Sequence, residues 1–168
     1  MAVDTVVPAE DRNGVGMPED WKVRILHARR AYELQRDSLA TRTEMGQIFR
    51  RMLQAVIEPG FREVAEFAQE QGVTCTVDVE LGGVQPRAMF CIRPSGRSIR
   101  FQLDPDGSAV REIEGVYHRP MGQRMVWTKI DELQRQVTQG YARAAAAAIV
   151  QDHFRAAMNA PQEEQEAG

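Results

Sequence analysis

The chain changes its hydrophobic period twice, from helical to alternating and back to helical. From Pro18, whose fixed φ suits a first helical turn, apolar residues recur at helical spacing as far as Glu58, and Glu19 and Asp20 sit favourably against the helix dipole. Trp21, Ile25, Ala28, Tyr32, Gln35, Leu39, Arg42, Gly46, Phe49, Leu53 and Val56 follow an unbroken 4-3-4-3 spacing, and most of them are apolar, which makes a coiled-coil-like seam. A straight helix drifts by about 20° per heptad against such a repeat, so Met45, Ile48, Phe49, Met52, Leu53 and Val56 occupy a rotated face. The helix therefore either supercoils or breaks between Ser38 and Thr43, and the polar seam residues Gln35 and Arg42, with Gly46, favour the break. A second, shorter helix is expected from Phe61 to Gln71, burying Phe61, Val64, Ala65 and Ala68 and stopping at Gly72.

From Val73 the period becomes two. Val73, Cys75, Val77, Val79 and Leu81 alternate with Thr74, Thr76, Asp78 and Glu80, the pattern of a strand buried on one face. Gly82-Gly83 returns the chain through Ala88–Arg93, and Pro94-Ser95-Gly96 leads into Ser98–Leu103, where Ile99, Phe101 and Leu103 alternate with Arg100 and Gln102. Asp104-Pro105-Asp106-Gly107 is a turn sequence. It precedes a fourth strand over Ala109–Tyr117, with Gly115 at a possible bulge position. Short connections throughout predict an antiparallel meander.

The last helix is expected to begin at Thr128 as N-cap and continue to Asn159. Its seam, Ile130, Leu133, Val137, Gly140, Ala144, Ala147, Gln151, Phe154 and Met158, again keeps heptad spacing, and its small central residues suit close approach of another helix. The fold class is α+β: a long N-terminal helix, either continuous or broken at 38–43, a short helix, a four-stranded antiparallel meander, and a long C-terminal helix packing on the sheet and on the N-terminal helix. Residues 1–17 read as a flexible arm, 18–160 as a single domain and 161–168 as an acidic flexible tail.

The two seams would run for roughly 60 and 48 Å at 1.5 Å per residue, further than one small sheet can cover. Part of each must pack on a helix, either within the chain or in a symmetric dimer. The interface candidates are Trp21, Ile25, Tyr32, Leu39, Phe49, Leu53, Leu133, Val137, Gly140, Ala144 and Phe154.

Composition narrows the class. Of 168 residues 43% are hydrophobic, 27% charged and only two are Cys, which suits a globular chain without a disulfide scaffold. The longest purely apolar run, Ala144 to Val150, is too short to span a bilayer, and residues 1–20 carry five acids and one Arg, unlike a secretory signal, so a cytoplasmic location is expected. Cys75 and Cys91 stand alone, and His27, His118 and His153 form no ligand pattern, so neither a metal nor a cofactor is expected. No nucleophile elbow, P-loop or dinucleotide fingerprint appears. Asp78, Glu80 and His118 would need a cleft to bring them together, and a non-enzymatic chain is the reading.

Charge is unevenly placed. The net value is −3, but residues 21–51 are net +5 and residues 85–101 hold Arg87, Arg93, Arg97 and Arg100 without an acid. Guanidinium groups bind carboxylates and phosphates in bidentate fashion, so Arg50, Arg51, Arg87, Arg93, Arg97 and Arg100 are candidates for a protein partner or for phosphate. Antiparallel pairing is expected to gather Arg93, Arg97 and Arg100 at one end of the sheet. The expected function is that of an adaptor, chaperone or accessory subunit that dimerises or holds a partner through its seams; the alternative is a nucleic-acid-binding accessory protein contacting phosphates through arginine.

Overall fold

The computed structural model describes residues 20–117 and 119–160. The expected arm and tail lie outside the described residues, as does His118. The described residues fall into two units, divided between Leu39 and Ala40.

The first helix, α1, spans Asp20–Met52 and is helical through 38–43, where the sequence pattern favoured a break. Polar side chains and a glycine weaken a seam, but none of them removes a backbone donor, so the helical ladder has no reason to stop there. In the unit that begins at residue 40, a π-turn, Leu53–Ile57, follows α1 directly and leads into α2, Glu58–Glu70. Two separate helices divided at Pro59 were expected. Pro59 instead lies in the first turn of α2, within a helical run continuous with the π-turn before it. Its ring would strike the carbonyl four residues back in a regular helix, and the wider π-turn absorbs this, with the Glu58 N–H donating to the Leu53 carbonyl.

The sheet is an antiparallel meander of five strands, one more than expected: β1 Thr74–Glu80, β2 Arg87–Arg93, β3 Arg97–Leu103, β4 Val110–Val116 and β5 Arg119–Trp127, hydrogen-bonded in that order. β5 escaped the sequence reading because it is an edge strand carrying Pro120 and Gly122 and is exposed over most of its length, so no alternation marks it. Register shifts between Glu112 and Ile113 and between Glu114 and Gly115 add bulges to its pairing with β4.

Alternation sets the core. Val77, Phe90, Ile99, Phe101 and Val110 point to the helical side, where Phe49, Leu53, Ile57 and Phe61 are fully buried. Phe61 packs between Phe90 and Phe101 with ring centroids 5.9 and 5.8 Å apart, and Trp127 stacks on Phe101 at 6.0 Å. These are favourable tilted and offset geometries.

The C-terminal region is two helices, α3 Ile130–Gln136 and α4 Gln139–Met158, rather than one. Val137 and Thr138 leave the helical region, and the Thr138 hydroxyl caps α4 by accepting from the Tyr141 N–H at 3.2 Å. Thr128 does not cap α3, whose N-cap is Lys129. The interruption rotates the expected seam: Leu133 and Val137 are buried, whereas Gly140 and Ala144 are exposed and α4 buries Ala142, Ala145, Ala146 and Ile149. α4 packs on α2, on β2 and β3, and on the π-turn that extends the N-terminal helix. The close helix approach expected around Gly140 occurs at Gly60 of α2, where an added Cβ would stand 3.0 Å from the Ala142 methyl.

Candidate functional site

The expected seam divides into a buried part and an exposed part. Phe49 and Leu53 are fully buried in the core of their own unit. In the 20–39 unit, Trp21, Ile25, Tyr32 and Leu39 are 58%, 58%, 63% and 53% exposed. At about 100° per residue, these four with Ala28 and Gln35 fall within an arc of about 80°. That width is a coiled-coil seam rather than the broader apolar face of a helix lying on its own core. Lys22, Arg29 and Arg36 border the stripe on one side and Arg24 on the other. Part of the net positive charge of residues 21–51 thus lies at the heptad positions beside the seam, a placement that the spacing alone carries. Arg29 pairs with Glu33 at 2.9 Å and Arg36 with Asp37 at 3.6 Å, both exposed, and the Lys22 ammonium lies 5.6 Å from the Trp21 ring centroid.

The C-terminal half of the expected interface is consumed or dispersed. Leu133 and Val137 belong to the core, Gly140 and Ala144 face outward, and Phe154 is 46% exposed near the end of α4.

The six arginines do not form one site. Arg50 is a structural clamp: its Nε donates to the Leu81 carbonyl at 3.0 Å and its Nη2 to the Gly83 carbonyl at 3.1 Å, fixing the loop between β1 and β2. Arg51 is exposed, with Nε 3.4 Å from the Gln47 carbonyl, at the lip of a shallow groove between the π-turn and Gln134. Arg87, Arg93 and Arg100 alternate onto the sheet face away from α2 and α4, whereas Arg97 shares the phase of Ile99 and Phe101 and points to the other side. The expected grouping of Arg93, Arg97 and Arg100 therefore loses Arg97 to the pleat. Arg100 sits across from Met89, in a depression of about 360 Å³ that also borders Asp78, Glu80 and Arg87. Burial and then the neighbouring Arg87 push the Arg100 pKa down, and its Nε has no hydrogen-bond partner. Arg87 pairs with Glu80 at 3.0 Å.

A buried polar cluster was not anticipated. Glu112, only 1% exposed, lies on the core side of β4 and accepts from the Tyr141 hydroxyl at 2.5 Å, with Arg124 Nη1 3.9 Å from its other oxygen and Arg124 Nη2 ion-paired to Glu114. Burial raises the Glu112 pKa, and the Tyr141 bond and Arg124 oppose that rise. Burial and the bond to Glu112 raise the Tyr141 pKa.

Cys75 and Cys91 are free thiols on neighbouring strands but on opposite sheet faces. Burial lifts the Cys75 pKa to about 11, with Cys91 adding to the rise, so it is a poor nucleophile. Asp78 and Glu80 are exposed on β1. Among the described residues no group of three His, Cys, Asp or Glu side chains is placed to hold a metal ion, and no helix is long and apolar enough to cross a membrane. Family models, curated proteins and solved structures yield no match to this chain.

Proposed function

We propose that this chain is a non-enzymatic cytoplasmic interaction protein, an adaptor, chaperone or accessory subunit, that holds a protein partner on the seam of residues 21–39. The observation that carries this reading is the exposure of Trp21, Ile25, Tyr32 and Leu39 along one narrow stripe, while the continuation of the same spacing at Phe49 and Leu53 is fully buried. An apolar stripe at heptad spacing is the recognition element of helix-on-helix and helix-in-groove binding. Two free thiols suit a reducing compartment. The test compares wild type with the double variant Ile25→Asp/Tyr32→Asp as bait in native extract, after equal thermal melts establish that both are folded. A prey retained by wild type and lost by the variant is expected; identical preys on both would refute the reading.

A second reading is supported by Arg100, whose unpartnered Nε lies beside Arg87 on a sheet face that also carries Arg93. Such a face could contact nucleic-acid phosphates. Gel shifts across a salt series test it: binding that weakens steeply with salt and is lost in Arg93→Ala/Arg100→Ala would support it, and absence of binding at low salt would remove it.

A further inference from the structure

We infer that the partner held by the 21–39 stripe presents acidic side chains on both flanks of an apolar seam, and is therefore a different protein rather than a second copy of this chain. The inference rests on the reading of the stripe as a protein-docking surface, and it follows from what borders the stripe.

With Trp21, Ala28 and Gln35 at d positions and Ile25, Tyr32 and Leu39 at a positions, Lys22, Arg29 and Arg36 fall at e and Arg24 at g. These bordering positions carry four positive charges and no acid. Glu33 and Asp37 lie toward the back of the helix, and Asp20 stands at its first turn, set against the helix dipole. In a parallel self-pair, g faces e of the partner and Arg24 would meet a second Arg29. In an antiparallel self-pair, e faces e, so Arg29 would meet Arg29 and Lys22 would meet Arg36. Both orientations oppose like charges, which destabilise such pairs. The intrahelical ion pairs of Arg29 with Glu33 and of Arg36 with Asp37 are exposed, so they hold their arginines weakly and yield to a partner's carboxylate.

An anionic membrane surface also attracts a basic helix, but it needs one broad apolar face and one polar face. Val23, Leu26 and Leu34 are exposed on the side away from the stripe, so the apolar residues are not gathered on one half of the helix. The narrow stripe with cationic borders matches a helical partner of opposite charge.

Trp21 reports on this directly, since it is 58% exposed while the other tryptophan, Trp127, is 1% exposed. The full chain is titrated with two synthetic heptad peptides, both with Leu at a and d, one with Glu and the other with Lys at every e and g, while Trp21 emission and iodide quenching are followed. The Glu peptide is expected to blue-shift and protect Trp21 with an affinity on the order of 10-fold tighter than the Lys peptide at low salt, converging in about 1 M salt. Arg29→Glu/Arg36→Glu should erase the preference, since Lys22 and Arg24 would then be balanced by two carboxylates. Equal binding of both peptides, or concentration-dependent self-association that shields Trp21 without any peptide, overturns the acidic partner while leaving the seam a protein-binding surface. Protection of Trp21 by phosphatidylglycerol-containing vesicles but not by the Glu peptide overturns it in favour of a membrane. No response to peptides, vesicles or concentration removes the docking reading itself.

Discussion

The Tyr141 hydroxyl donates to Glu112 Oε2 at 2.5 Å, tying α4 to β4 through a carboxylate that is only 1% exposed. A buried acceptor that loses its donor bears a desolvation cost, so Tyr141→Phe should lower stability by about 1–3 kcal/mol. Urea unfolding with the slope held in common reads this out.

The same carboxyl sets a pH dependence. Its native pKa is raised, chiefly by burial, so between the unfolded value and the native one the folded state binds more protons than the unfolded state. Stability then falls as pH climbs through that window and is fully restored below it. Glu112→Gln should flatten this slope. Melts of both proteins from pH 4 upward, compared by difference, isolate the contribution of Glu112 from those of the other acids.

Two helical glycines should respond oppositely to alanine. A Cβ at Gly60 would lie 2.9 Å from the Gln139 carbonyl oxygen and 3.0 Å from the Ala142 methyl, so Gly60→Ala must push α2 and α4 apart. A loss of about 1–3 kcal/mol is expected despite the better helix propensity of alanine. At Gly140 the nearest atom would be 3.7 Å away, and Gly140→Ala should gain up to about 1 kcal/mol. A gain at both sites would contradict the close helix approach.

Arg50→Ala removes both hydrogen bonds that fix the Leu81 and Gly83 carbonyls. Faster amide exchange and proteolysis over residues 81–86 are expected, with a cost of about 1–3 kcal/mol. Loss of nucleic-acid binding without any change in that loop would instead mark Arg50 as a phosphate ligand.

The seam itself should be energetically silent in the isolated chain where it is exposed and costly where it is buried. Phe49→Ala is expected to cost about 3–5 kcal/mol, and Ile25→Asp less than about 0.5 kcal/mol, although both residues belong to one heptad series.

What the sequence conveyed depended on how many neighbours each residue's pattern had to satisfy. Phe90, Ile99 and Phe101 stand on central strands with one face against helices, so their alternation marked both the strands and the core. β5 has no such constraint: from Arg119 to Met125 it is exposed, and an edge strand without a buried face carries no period. The break at Val137–Thr138 was hidden because Leu133, Val137 and Gly140 fit a heptad by spacing alone, while the backbone leaves the helix between them. Glu112 was hidden for a related reason, since a carboxylate on a core phase reads as a misfit until Tyr141 and Arg124 are seen beside it. At the candidate interface the spacing of Trp21, Ile25, Tyr32 and Leu39 was legible, but their exposure was not, because Phe49 and Leu53 obey the same repeat and are buried.

Site-specific photocrosslinking in the cell that naturally makes the protein tests the docking role of the seam most directly. A photoreactive residue is placed at Ile25 or Tyr32 on the stripe, and separately at Arg30 or Leu34 on the far side. The expected result is one common adduct from positions 25 and 32, absent from 30 and 34, with a mass other than twice that of the chain. Adducts of equal yield from all four positions, or none from 25 and 32, would contradict a partner-binding role for the seam.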